Sequence, residues 1–318
     1  MASLVILEHE LQRYVKLPYM VYSLAERWRR AGHEVKVHHG AGTPPGGDVA
    51  LVNVDLTVVP QPYRALFGRF PRVVNGGVPD VSKSRFSTDL LDRYSDWIGP
   101  VIVKTEANFG GKPEHLLRSV ARQHGLPCDI PEGPVAEGYP IYASLRDVPA
   151  AAWDTPGLVV ERFLPEMEDG LYCCRHWIFF GDRDRSIRVR ARVPIVKSHD
   201  IVDVGVVPVP DELRAMRAGL GFDFGKFDYV RHGGRYVLID ANRSPSMPAQ
   251  VGPQVEAGQD HLAQGTAVRY VLRPDVPHGA HGDALAGRTL KRHCHQPPEK
   301  VQVADSAAQE FLKQVGNR

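Results

Sequence analysis

Little is extreme in this sequence, and what it lacks narrows what it can be. Cysteine is scarce: four in 318 residues. Cys128, Cys173, Cys174 and Cys294 lack the spacing of a disulfide framework or of a zinc site. They read as free thiols, with Cys173 and Cys174 pointing to opposite sides of one strand. No charge of one sign dominates, since the net charge is +2 with 24% charged residues. Without a basic arm or block, neither nucleic acid nor an anionic membrane is an expected partner. No apolar run approaches the roughly 18 residues that a membrane helix needs, and Met1 to Glu8 enters a strand without a basic leader, so a cytoplasmic location is expected. Two glycine signatures are missing as well. No Gly-x-Gly-x-x-Gly follows the first strand, and no Gly-x4-Gly-Lys-Ser/Thr occurs. No nucleophilic Ser or Cys stands out.

What is present alternates. Ser3–Leu7, Glu34–His38, Asp48–Val54 and Arg72–Asn75 are short apolar strands, and Tyr19–Ala31 carries Met20, Leu24 and Trp28 at helical spacing before Gly32. The pattern predicts an α/β unit built on a small parallel sheet and ending near residue 80. A helix carrying Lys83, Phe86, Leu90 and Leu91 is expected next, capped by Asp80 or Ser82. Pro100–Lys104 reads as a strand ending in a lysine. The glycine loop Thr105–Lys112, with Asn108, Gly110 and Gly111, follows it and leads into a helix over Pro113–Arg122. Loop amides and a helix start together form a layout that handles phosphate. Cys128 to Gly138 is irregular, and Leu158-Val-Val-Glu161-Arg162-Phe163 is a further strand.

Tyr172–Phe180 and Ser186–Val193 read as antiparallel neighbours about a Gly181-Asp182 turn. Arg188, Arg190 and Arg192 then share one face, which is either a solvated stripe or a set of forks converging on a polyanion. Pro210–Leu220 is a helix with Asp211 and Glu212 in its first turn. Beyond Pro248 a helix is expected near 258–272. His278, His281, His293 and His295 lie in a segment over 276–318 that reads as flexible, with a short helix near Ser306–Val315. Irregular spacing makes these histidines poor metal ligands.

The most informative stretch is Phe224 to Ser246, two apolar strands joined at glycines. Alternation puts Asp240 and Asn242 on one face and Val237, Ile239 and Ala241 on the other. Asp228 shares the face of Asp240 if the loop is His232-Gly233-Gly234, whereas a two-residue Gly233-Gly234 turn would point it away. Two carboxylates and an amide oxygen suit a hard divalent cation that takes further ligands from phosphates. Taken alone, the stretch is equally an ordinary hairpin ending in a turn.

The order of these parts resembles the ATP-grasp superfamily of carboxylate-amine ligases, such as D-alanine:D-alanine ligase and glutathione synthetase. There, a hairpin ends in an acid, a spacer, Asn and a nearby Pro, here Asp240-Ala-Asn242-Arg-Ser-Pro245; the family more often has Glu at the Asp240 position. The resemblance implies an ATP-grasp fold, two α+β subdomains gripping ATP (81–157 as lid, 158–275 as main subdomain), preceded by a small parallel-sheet domain over 1–80. It implies Mg2+, with Mn2+ as the alternative ion, on Asp228, Asp240 and Asn242. Lys83 and Lys104 would reach the phosphates, the loop with Asn108, Gly110 and Gly111 would cover them, the backbone from Glu161 through Arg162 to Phe163 would read adenine, and Glu168 would hold the ribose. Arg190 or Arg192, with Arg175 as a further candidate, would lie near the γ-phosphate. Lys16, Tyr19 and Asn53 are candidates for the acceptor pocket, although each is also an ordinary loop or strand-end residue. The implied activity is ATP-dependent joining of a small-molecule or peptide carboxylate to an amine through an acylphosphate. Phosphorylation of a small-molecule hydroxyl and nucleotide binding without turnover are the alternatives. Neither the substrates nor the oligomeric state follows from the sequence.

Overall fold

The structure, a computed structural model, describes residues 1–246 together with Leu262 and Ala263. The expectations for 258–272, the four C-terminal histidines, Cys294 and the terminal helix lie outside the described residues. None of the described helices is long and apolar enough to cross a membrane.

Three sheets organise the described residues. The first holds β1 (Ser3–Glu8), β2 (Glu34–His39), β3 (Val49–Val52) and β4 (Arg72–Val74) in the order β2-β1-β3-β4, all parallel. Helix α1 (Met20–Arg30) covers one face with Met20, Leu24 and Trp28, the spacing read from the sequence, and α2 (Gln61–Arg64) follows β3. Lys83–Phe86 forms α3, a single turn. The expected longer helix fails because Ser87 is already extended and Leu90–Leu91 pairs with Glu161 and Val160 as strand β5.

The second sheet joins β5 to β6 (Val101–Thr105), β7 (Ile141–Tyr142) and β8 (Leu158–Arg162) in the order β5-β8-β6-β7. Helix α4 (Lys112–His124) follows β6, and α5 (Ala150–Asp154) precedes β8. Because β8 pairs along its length with β6, this sheet runs to Arg162 and does not stop at residue 157.

The third sheet is antiparallel. Its members are β9 (Glu166–Glu168), β10 (Leu171–Phe180), β11 (Arg183–Ala191), β12 (Ile201–Val207), β13 (Phe224–His232) and β14 (Arg235–Asn242), in the order β12-β11-β10-β13-β14 with β9 on β10. Trp177, Phe179, Phe227 and Tyr229 bury one face of it under α6 (Asp211–Leu220). Strands β9 and β12 have no counterpart in the sequence reading.

The hairpin β13–β14 corrects one expectation and keeps its consequence. His232 pairs with Arg235, so the turn is the two-residue Gly233-Gly234, with φ of 57° and 83°. Positive φ at both positions is the conformation glycine supplies without steric cost. A straight ladder would then turn Asp228 away from Asp240. It does not, because a β-bulge intervenes: Tyr229 pairs with Leu238 but Asp228 pairs with Asp240, leaving Ile239 as the extra residue. The bulge also splits the residues expected to share one face. Leu238 and Ala241 join the core, whereas Val237 packs with Val230 and Ile239 on the side of Asp240.

Two polar clamps fix this hairpin against the first sheet. Asn75 accepts hydrogen bonds from the Asp223 and Phe224 amides (3.0 Å each) and donates to Phe224 O (2.8 Å). Arg243, fully buried, donates to Val78 O (2.7 Å), Leu56 O (2.6 Å) and Val54 O (3.2 Å). Burial pulls its pKa down to about 10, with Asp55 opposing, so it stays charged at neutral pH. A buried cation whose two terminal nitrogens donate to three carbonyls is a structural tie. Arg243→Ala is expected to cost on the order of 3 kcal/mol or more in urea unfolding, because those carbonyls lose their donor. Replacing exposed Arg192 by Ala should leave the midpoint nearly unchanged.

Candidate functional site

A cavity of about 350 Å3 opens between the second and third sheets. Its floor is the unburied face of β10, β13 and β14. Its roof is the edge of β6 and β8 with the glycine loop. Seven of the residues singled out in the sequence line it: Lys83, Lys104, Glu161, Arg162, Phe163, Asp228 and Asp240.

Charge pairing dominates the cavity. Asp228 and Asp240 are directly opposed cross-strand partners, an arrangement that is destabilising for like charges unless cations intervene. Each has one. Lys83 Nζ lies 2.6 Å from Asp240 Oδ1, and Lys226 Nζ lies 3.1 Å from Asp228 Oδ1. His176 Nδ1 shares a 2.6 Å hydrogen bond with the same Asp228 oxygen. A third pair joins Lys104 Nζ to Glu161 Oε2 at 2.6 Å, with Lys104 also donating to Ile239 O (3.2 Å). Burial works against an ionised Asp228, but Lys226 and His176 outweigh it and hold the carboxyl well below the usual range. For Lys83 and Lys226 burial likewise opposes the charge, and Asp240 and Asp228 respectively reverse the outcome, raising both ammonium groups.

Other expected residues stand elsewhere. Arg175 pairs with Tyr229, and Arg188 pairs with Arg175, so the register puts both on the sheet face opposite His176 and Asp228. Arg190, two residues along β11, shares the Arg188 face. Arg175 is committed to Glu166 (3.0 and 2.5 Å) and Glu168 (3.2 Å), Arg188 to Glu168, and Arg190 to Asp203 (2.6 Å) and Asp169 (3.2 Å). Arg192 is exposed beyond the end of β11. None of these arginines lines the cavity. Glu168 does not line the cavity either, although Glu166 does. Glu166, Glu168 and Cys173 lie close enough to hold a metal ion, but the Arg175 guanidinium already occupies the two carboxylates.

Asn242 shares the face of Lys226, its cross-strand partner, but its Oδ1 accepts from Ser244 N (2.8 Å) and it does not line the cavity. The amides of Arg162 and Phe163 donate to Asp89 O and Pro100 O (2.9 Å each), leaving them no donor to spare for a base. In the glycine loop Phe109, Gly110 and Gly111 all have positive φ; Phe109 and Lys112 line the cavity, whereas Gly110 and Gly111 do not. Residues that sequence reasoning passed over complete the lining or flank it: Tyr139, His176, Lys197 and, beside Asp228, Lys226. The last had a signal, since Lys226 is two residues before Asp228 and must share its face.

The acceptor candidates sit at the ends of β1 and β3. Lys16 is exposed. Asn53 is buried and donates to Glu8 (2.8 Å), and the Tyr19 hydroxyl donates to Asp55 Oδ2 (2.8 Å).

No protein-family model matches the chain, and no curated protein sequence matches it. Among solved structures it is similar to a D-alanine–D-alanine ligase from Bacillus anthracis, at 12% identity over 86% of this chain and 98% of that one (TM-score 0.47). It is also similar to a RimK domain ATP-grasp protein from Sphaerobacter thermophilus, at 12% over 85% and 100% (TM-score 0.46). A third is a RiPP-associated ATP-grasp ligase from Chryseobacterium gregarium, solved with ADP and a leader and core peptide, at 10% over 87% and 98% (TM-score 0.46). Two of the three are ATP-grasp proteins by name.

Asp55, the partner of Tyr19, gives a pH test. Burial, ahead of the opposing Tyr19 hydrogen bond, pushes its carboxyl up to about 6. A folded-state value above the ordinary carboxylate value of about 3.9 means the fold favours the protonated form, so its stabilising effect is present below about pH 4 and is lost as pH rises through 6. Asp55→Asn is expected to stabilise the protein at pH 8 by on the order of 1–3 kcal/mol and to change little at pH 4. Urea unfolding at the two pH values measures the difference.

Proposed function

We propose that the protein is an ATP-grasp enzyme that uses ATP and a divalent cation to join a carboxylate to an amine. The observation that carries this reading is the pair of directly opposed carboxylates, Asp228 and Asp240, each neutralised by a lysine inside a cavity large enough for a nucleotide. Opposed carboxylates at the edge of a cavity fit a hard cation. Mg2+ held by Asp228 and Asp240, with Asn242 on the same face, would neutralise phosphate charge there; Mn2+ is the alternative ion.

The chain's own residues would then act by exchange of partners. When a triphosphate enters, Lys83, Lys104 and Lys226 turn from carboxylates to phosphate oxygens, with Lys112 and Lys197 available from the rim. Apolar Val230, Val237 and Ile239 form the wall for the base, and Glu161, released from Lys104, is an acceptor at its edge. Glycine-loop residues Asn108–Lys112 close over the phosphates and exclude water. The substrate carboxylate attacks the γ-phosphorus, the bond to the β-γ bridging oxygen breaks, and ADP leaves. The amine then attacks the acylphosphate carbon and phosphate departs. Such phosphoryl transfer rests on positioning and charge neutralisation. That agrees with a cavity lined by paired charges. In this reading the first sheet is the accessory domain, residues 81–162 are the lid, and the third sheet with its following chain is the main subdomain.

Release of ADP and phosphate only when a carboxylic acid and an amine are both present tests the activity. ADP release with an alcohol alone would indicate a kinase. Asp240→Asn is expected to abolish turnover without loss of fold. Lys83→Ala or Lys104→Ala should weaken Mg·ATP binding about 10- to 100-fold in calorimetry, the range for a lost hydrogen bond to a charged group. Unchanged affinity in both would exclude this placement of the phosphates.

A further inference from the structure

The cavity holds a neutral hydrogen-bond donor, the Tyr139 hydroxyl, with no partner among the described residues. Tyr139 lines the cavity with Lys83, Lys104, Asp228 and Asp240, yet no side chain or backbone group accepts from its hydroxyl. The charges acting on that hydroxyl come from Asp240, Lys83 and Asp228. Burial and then Asp240 push it above the ordinary tyrosine value, so it keeps its proton at neutral pH and can only donate or accept as a neutral group.

Its position is fixed from two sides. Pro140 O, the next residue along, accepts from Val103 N (3.0 Å), and Ile141 pairs with Ile102, so the backbone at Tyr139 is anchored to β6. On the other side the hydroxyl stands 3.3 Å from the point a Cβ on Gly110 would occupy. Gly110 O in turn accepts from Ala136 N (2.9 Å). Tyr139 therefore stands between the glycine loop and the Lys83–Asp240 pair, on the rigid edge of a sheet.

We infer that the Tyr139 hydroxyl is a binding group for the terminal phosphoryl oxygens, donating to the γ-phosphate between the glycine loop and Lys83. This rests on the reading of the cavity as a nucleotide site. A neutral donor adds a directed hydrogen bond where charge is transferred, without a further cation beside Lys83. Lys104 and Glu161, on β6 and β8, lie toward the apolar wall, whereas Tyr139 faces the opposed carboxylates, which is why the terminal phosphate is its expected partner.

The test compares Tyr139→Phe with the parent protein, each titrated calorimetrically in Mg2+ with ADP and with a non-hydrolysable ATP analogue. Phe keeps the ring and removes only the hydroxyl, so the thermal midpoint of the free protein should not move. The variant is expected to bind the ATP analogue about tenfold more weakly and ADP as tightly as the parent. Equal losses for both nucleotides would place the hydroxyl at the α- or β-phosphate or the base and overturn the inference, as would no loss for either. If the parent binds neither nucleotide, the nucleotide reading itself fails, a result distinct from these.

Discussion

The cavity depends on a repulsion that the chain must answer. Asp228 and Asp240 face each other across one antiparallel pair, about 5 Å apart at Cβ for such partners. Nothing in the packing of a β-hairpin asks for that. Lys83 comes from the turn of α3, Lys226 from β13 and Lys104 from β6 to neutralise the acids of this cavity, so three separate elements converge on it. The free protein is thus internally paired, with each of these acids holding a cation. Under the proposed function, exchange of these partners would cost little net charge separation, because an incoming phosphate and metal would replace the partners they remove.

Holding the two strands in that register requires ties from outside the sheet. Asn75 pins the entry of β13 and Arg243 pins the exit of β14, both to residues of the first sheet or its loops. Met20 N also donates to Pro245 O (2.9 Å) at the start of α1. The first sheet therefore acts as a foundation for the hairpin, and its buried Glu8, Asn53 and Asp55 read as interior polar groups with partners more than as an open pocket.

Much of this was legible in sequence because period and order are local. The parallel strands, α1, α6, the Gly181-Asp182 turn and the face shared by Asp240 and Asn242 all follow from alternation or helical spacing. What was hidden is register. Ile239 carries no mark of a bulge, yet that one unpaired residue decides which way Asp228 points. The arginines of β11 were misplaced for the same reason: their shared face could be read, but which face it was depends on pairing with β10 and, through it, with Tyr229 and Asp228. Glu168, in the short strand β9, then takes Arg188, and Asp203 and Asp169 take Arg190. Lys226 could have been found by the same alternation that found Asp228.

Affinity for ATP measured as a function of Mg2+ concentration, alongside binding of Mg2+ alone, tests this account most directly. If the carboxylates are held by Lys83 and Lys226 until phosphate draws the lysines away, Mg2+ alone should bind weakly and ATP affinity should rise steeply with Mg2+. Tight Mg2+ binding in the absence of nucleotide, or ATP binding indifferent to Mg2+, would contradict it.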